Sequence, residues 1–477
     1  MKTKMNQQDR IIKEEEKPLI ELPALIKGFI VVCSFLMGIS LLFLPPFIVL
    51  LLFIGMCVFV AMFLDLFVAV IIFLLGAYLH PTALFPALQQ LHIARNLAFF
   101  VLLIWILHII VYKDFKITKT PQNIFVLGLA ATLFIACFRY FEYSFPDYLE
   151  LASKAVILYL IIANIVKTKK QILVLIGILI ISGVISSGAA FFQYIHGIGL
   201  TLIGSVVRVF GTTQNPNILA AELVLIVPIA ITLIINVKRV LLKFILLLCL
   251  SALLMAIVLT FSRAGMATLC IVLLLSFLQI ILKGKRKVST LIFLFIIFAL
   301  IAAAVTPFIP NEYWERMGTI TDTKEISIAS RLDAWKLALN MIKEHPFTGV
   351  GYGLFKYEFM TAAITSADIK TKFVLYHAHN LFLHTGAEAG ILAALFVLTI
   401  IYYAWIQLRR ARRNLERNGE ALLAGISGAL EISLMAFFLV NLFSWHLDLM
   451  IFWIIIGLSV VLNNLPESKD AESGVKA

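Results

Sequence analysis

Residues 217–236 read NILAAELVLIVPIAITLIIN, a continuous apolar run broken by one carboxylate, Glu222, near its start. Wound as a helix, a run of this length covers the roughly 30 Å of hydrocarbon in a bilayer. A helix also satisfies every backbone N–H and C=O within the segment, which lipid demands. Asn215 and Pro216 stand just ahead of the run. They are a capping residue and a first-turn proline, which mark a helix N-terminus. The same reading repeats along the chain. Spans are predicted near 28–44, 47–64, 66–80, 93–112, 122–138, 148–166, 171–195, 217–236, 242–260, 264–282, 289–308, 379–407, 421–441 and 446–463. The fold class that follows is an all-α polytopic membrane protein with about 12–14 transmembrane helices. Composition agrees, with 62% hydrophobic residues, 14% charged residues and a mean hydropathy of +1.01. These values lie outside the range of soluble domains.

The basic residues sort by side. The polar tail 1–27, Lys113/Lys116/Lys119, Lys167/Lys169/Lys170, Lys238/Arg239/Lys243, Lys283/Lys285/Arg286/Lys287 and Arg409/Arg410/Arg412/Arg413 fall on alternate connections. The positive-inside rule makes these cytoplasmic, and with them both termini. Reporter fusions at Lys285 and Asp368 should therefore report opposite sides of the membrane; the same side for both would undo the whole topology. A net charge of +12 is then explained by orientation and anionic headgroups, with no nucleic-acid partner. No small-residue cleavage site follows the first apolar run, which is expected to be retained as a span. Cys33, Cys57, Cys137, Cys249 and Cys270 fall within predicted spans at spacings that suit neither a metal nor a redox pair. They read as packing residues.

One membrane domain, 28–463, is expected between the polar tails 1–27 and 464–477, with a long extracytoplasmic loop at 309–378. Within that loop, Ser330 and Asp333 resemble a capping box. They open an amphipathic run with Leu332, Trp335, Leu339 and Ile342 on one side and Lys336, Asn340 and Lys343 on the other, which reads as a helix on the membrane surface or capping the domain. Pro346 stops that run, and Gly349-Val-Gly351-Tyr-Gly353 follows as a turn. These glycines follow a helix and do not join a strand to one, which argues against a nucleotide-binding loop.

The residues able to do chemistry gather at the outer ends of the spans. Arg208, Arg263 and Arg331 each lie near a helix start. Arginine offers a permanent bidentate fork and a helix start offers N–H donors, the combination a diphosphate requires. Arginines at span ends also anchor in headgroups, so that reading stands beside the first. His377 and His379 flank Ala378 ahead of Asn380. Free-base imidazole can take a proton from a sugar hydroxyl. Zinc is the weaker reading, because no cysteine or carboxylate completes a ligand set nearby. Glu222 and the His384/Glu388 pair are ionisable groups inside spans, hence functional candidates, although the pair reads equally well as one that fixes helix packing. Glu142 and Asp147 on another outer connection, and His446 with Asp448 beyond Trp445, are placed where they could touch sugar, while Trp445 reads equally well as part of an aromatic belt.

Several of these motifs occur in an order that resembles the O-antigen ligase and O-antigen polymerase superfamily. They are the Arg208 to Asn217 segment, Ser262-Arg263-Ala264-Gly265, Arg331 with Trp335, the Pro346 to Gly351 turn, and His379-Asn380 followed after nine residues by Gly390. The likeness covers about 190–395. Ala393 departs from the signature, which usually has Gly, Thr or Tyr there. The resemblance implies a membrane glycosyltransferase of GT-C-like architecture, metal-independent and without a cofactor. It would transfer or polymerise an undecaprenyl-diphosphate-linked glycan onto a glycan, lipid or protein acceptor, in surface polysaccharide biosynthesis. Its place would be the outer face of the bacterial cytoplasmic membrane. By motif position, Arg208, Arg263 and Arg331 would bind the diphosphate and His379 would assist the acceptor hydroxyl, with His377 next in line. Asn215, Asn217, Glu222, Asn380 and Glu388 would support the site. A multi-pass solute transporter of bicarbonate-transporter type is the alternative. It predicts polar groups near the bilayer midplane, whereas most polar signals here lie at the outer ends.

Overall fold

The computed structural model describes residues 24–40, 42–78, 90–113, 117–197, 201–203, 206–213, 215–281, 318, 326–365 and 377–466. Its helices are α1 (Ala24–Ser40), α2 (Pro46–Leu64), α3 (Leu66–Tyr78), α4 (Ile93–Tyr112), α5 (Pro121–Cys137), α6 (Phe141–Ala152), α7 (Leu158–Ile165), α8 (Lys169–His196), α9 (Pro216–Asn236), α10 (Val240–Leu259), α11 (Arg263–Ile281), α12 (Ile326–Glu344), α13 (Phe355–Thr365), α14 (Leu381–Ala389), α15 (Ile391–Arg417), α16 (Ala421–Asn441) and α17 (Met450–Asn463). A short antiparallel pair, β1 (Thr201–Ile203) and β2 (Val206–Arg208), pairs Thr201 with Arg208. The protein is an all-α polytopic membrane protein. Among the described residues, nine helical segments are long and apolar enough to cross a membrane, and α3 and α17 are shorter apolar helices. The predicted spans 122–138 and 148–166 form one continuous helical segment, Pro121–Ile165. The predicted span 289–308 lies outside the described residues.

The contacts divide into two compact units. One falls within Met1–Ala69 and Leu103–Phe115, the other within Val70–Leu102 and Lys116–Ala477. In the first, the rings of Phe63, His108 and Tyr112 pack against one another at tilted angles, and most of α2 is exposed. The second is built around α9, α16 and α17, which are buried on nearly every side. Helices that are apolar all round take such central positions. Polar side chains tie this core together: Gln122 Nε2 donates to the Ile400 carbonyl at 3.1 Å, Gln407 Nε2 to Thr120 Oγ1 at 3.0 Å and Ser459 Oγ to Gln407 Oε1 at 2.9 Å. In lipid such bonds hold helices that the hydrophobic effect alone cannot hold.

Two sequence expectations are corrected here. The described part of α12 begins at Ile326, so Ser330 lies inside the helix and not at its cap. The helix also buries Ala334, Ala338 and Met341, while Leu332 and Leu339 are exposed. Alanine lets the helix approach the Phe355, Phe359 and Ala387 cluster closely, which leucine would prevent. The expected span 379–407 is likewise broken at Gly390, whose φ of +85° ends α14 before α15 begins.

Candidate active site

The break at Gly390 creates the site. The turn after Pro346 closes over the end of α14: Val350 N donates to the Ala387 carbonyl at 2.8 Å, Gly351 N to that of Glu388 at 3.0 Å and Ile391 N to that of Pro346 at 2.8 Å. Helix ends leave carbonyls without intrahelical donors, and here the turn supplies them. Gly349, Gly351 and Gly353 all have positive φ, at 66°, 113° and 75°. Gly349 also has no room for a Cβ, which would overlap the Glu388 carbonyl and the Ala389 nitrogen. Glu388 turns its side chain the other way. Its Oε1 accepts from Phe355 N at 3.1 Å, capping α13, and its Oε2 lies 3.5 Å from His384 Nε2.

The rings ahead of α14 are packed together. His377 stacks on Trp445 with centroids 3.3 Å apart, and His384 meets His377 and Trp445 edge-on at 5.2 and 5.3 Å. Asn380 is the cap of α14: its Oδ1 accepts from Phe382 N and Leu383 N at 3.1 and 3.0 Å. Its Nδ2 also donates to the Leu442 carbonyl at 3.1 Å, which fixes α14 to the end of α16. His379, just before the cap, has φ +50°, a left-handed conformation rare for a residue with a Cβ. Phe261, just before Ser262 and α11, repeats this with φ +53°. Strained backbone of this kind clusters at functional sites.

The histidines are held neutral. Burial pushes His379 down to about 3, helped by the nearby Arg331 charge. Burial pushes His377 down to about 2, helped by its histidine neighbours and Lys356, and His446 down to about 4 against the opposing pull of Asp448. At neutral pH each can therefore accept a proton, though only weakly before an anion arrives.

The sequence-derived candidates fall into two groups. His379 lies within electrostatic reach of Arg331, His446 and His384. Elsewhere, buried Arg208 donates from Nη2 to Asn217 Oδ1 at 2.9 Å and from Nε to the Thr260 carbonyl at 2.7 Å. Ser262 Oγ donates to the same Asn217 oxygen at 2.9 Å, and Asn215 Oδ1 accepts from Asn217 N at 2.8 Å. Arg263 opens α11 immediately after Ser262. Glu222 lies within electrostatic reach of Asp448 and Lys154.

A cavity of about 330 Å³ opens beside the rings. His377 and Glu388 line it; His379 and the three arginines do not. Glu150, Lys154, Tyr352 and Lys356 also line it and were not among the sequence candidates. A signal for two of them existed, because Glu150 and Lys154 sit one turn apart inside a predicted span, where charge is costly. Tyr352 and Lys356 carried none, since only the folded turn brings them here. Among the described residues, no three His, Cys, Asp or Glu side chains are grouped so as to hold a metal ion.

The fold and site thus define a polytopic helical membrane protein with a histidine-centred polar pocket. Residues 248–398 match the family model described as O-antigen ligase, which supports an O-antigen ligase family assignment. The match includes Arg263, Arg331, His377, His379 and Glu388. The matched residues make up about a third of the chain. No curated protein matches the chain.

Proposed function

We propose that this protein transfers or polymerises a glycan carried on undecaprenyl diphosphate, at the outer face of the bacterial cytoplasmic membrane, in assembly of a cell-surface polysaccharide. The catalytic part is the O-antigen ligase-like core at about 190–395. The observation that carries this reading is His379, held in a left-handed backbone within electrostatic reach of Arg331. Arg331, with Arg263 and Arg208, takes the diphosphate. An arriving diphosphate offsets the Arg331 charge, which favours the protonated imidazole. His379 thus becomes a stronger base when the donor is bound, and draws the proton from the acceptor hydroxyl as that oxygen attacks the anomeric carbon. Undecaprenyl diphosphate leaves.

The test is release of undecaprenyl diphosphate by purified protein given matched donor and acceptor. Arg263→Ala is expected to raise the donor KM, because the diphosphate loses a bidentate partner. Arg263→Lys should recover only part, since the charge returns without the fork. No release by the wild-type protein, or donor KM unchanged in Arg263→Ala, would count against the reading or against this residue's part in it.

A further inference from the structure

We infer that the cavity beside His377 is a subsite for a sugar ring that is uncharged or carries an amine, and that it disfavours rings bearing carboxylate or phosphate; this rests on the glycosyl-transfer reading above. At about 330 Å³ the cavity falls within the range of small-molecule sites. Four carboxylates line it, Asp147, Glu150, Glu388 and Asp448, against two ammonium groups, Lys154 and Lys356. Lys154 is already engaged by Glu150 at 2.9 Å, and Lys356 lies within electrostatic reach of Asp147 and Glu388. The surplus is therefore negative, and an anionic ring would meet like charge.

Two further features point to a ligand. Asp448 Oδ1 and the Nδ1 of His384 have no hydrogen-bond partner although both atoms are buried, and His384 is only 7% exposed. Buried polar atoms are almost always partnered in folded proteins, and the hydroxyls of a sugar supply what is missing. Lys154 is carried on a π-helical segment, Ser153–Ile157, that interrupts the helix at the cavity wall. Such interruptions recur at functional sites. His384 links the cavity to His379, so a ring bound here sits beside the reacting centre. Both the acceptor sugar and the sugar on the donor diphosphate must come to that place.

Saturation-transfer NMR on the full-length protein in detergent, with the methyl glycosides of glucose, glucosamine and glucuronic acid as probes, tests this. The first two should bind, and the glucuronide at least about tenfold more weakly. Asp448→Asn should reduce the preference for glucosamine, and Asp448→Lys should admit the glucuronide. If the lysine variant does not fold, Lys356→Met decides, by weakening the glucuronide further. Equal binding of all three probes, binding of none, or an unchanged preference for glucosamine in Asp448→Asn would overturn the inference. In the transfer assay, a raised acceptor KM in Asp448→Asn assigns the ring to the acceptor, and a raised donor KM assigns it to the donor. Probe binding with the expected order but no transfer by the wild-type protein leaves the subsite standing and removes the transfer reading.

Discussion

Replacing His379 with alanine is expected to lower turnover by about 10²- to 10⁴-fold, the usual contribution of a positioned general base. Membrane insertion and donor binding should be nearly unchanged. Alanine is not the cleanest probe, because the backbone at this position has φ +50°, a left-handed conformation that histidine, asparagine and aspartate adopt more readily than alanine. Asparagine tolerates the left-handed region and cannot act as a base, so His379→Asn separates the chemistry from the backbone. It should fall as far as the alanine variant. The pH profile gives an independent readout. A base pushed down to about 3 by burial and Arg331 is in its active form throughout the neutral range and is lost only as pH falls through that value. The acid limb of kcat/KM, which reports the free enzyme, should therefore lie well below pH 6. Full activity in His379→Asn at normal protein levels would pass the role to His377, whose ring stacks on Trp445.

The fold class, and several of the residues that line the cavity, were legible in the sequence for one physical reason. Lipid forces long apolar helices, and charge that survives near them stands out. Asn215 could be read as a cap because its side chain bonds locally, and the structure bears this out; Ser262 and Asn380 bond to their helix starts in the same way. On α12 the alanines make the close approach to the Phe355 cluster, while Leu332 and Leu339 stay exposed, as a helix on the membrane surface would leave them. The break at Gly390 was missed because helix-forming sequence continues on both sides of it; the Ile391 N–H on the Pro346 carbonyl, with Val350 N and Gly351 N on the end of α14, makes the interruption stable. Lys356 and Tyr352 were invisible for the same reason. Their place in the cavity is set by a turn whose partner lies more than thirty residues away, at Glu388 in the bond from Phe355.

That turn carries the second large effect. Gly349→Ala is expected to destabilise the protein by on the order of 3 to 5 kcal/mol, summing left-handed backbone strain with loss of neighbouring hydrogen bonds. Gly349 has φ +66°, and a Cβ there would overlap the backbone of Glu388 and Ala389. Relief requires the turn to lift from α14, which breaks the bonds from Val350 N at 2.8 Å and Gly351 N at 3.0 Å. Glu388 is then released from the start of α13 and from His384, so the cavity wall moves with it. Activity should drop by more than stability alone explains, and transfer measured per folded molecule separates the two. Gly177→Ala is the control, because its Cβ would point into open space within α8, and it should leave both thermal unfolding and transfer near wild type. A Gly349→Ala protein that unfolds at the wild-type temperature and transfers at the wild-type rate would show that the turn does not shape the site.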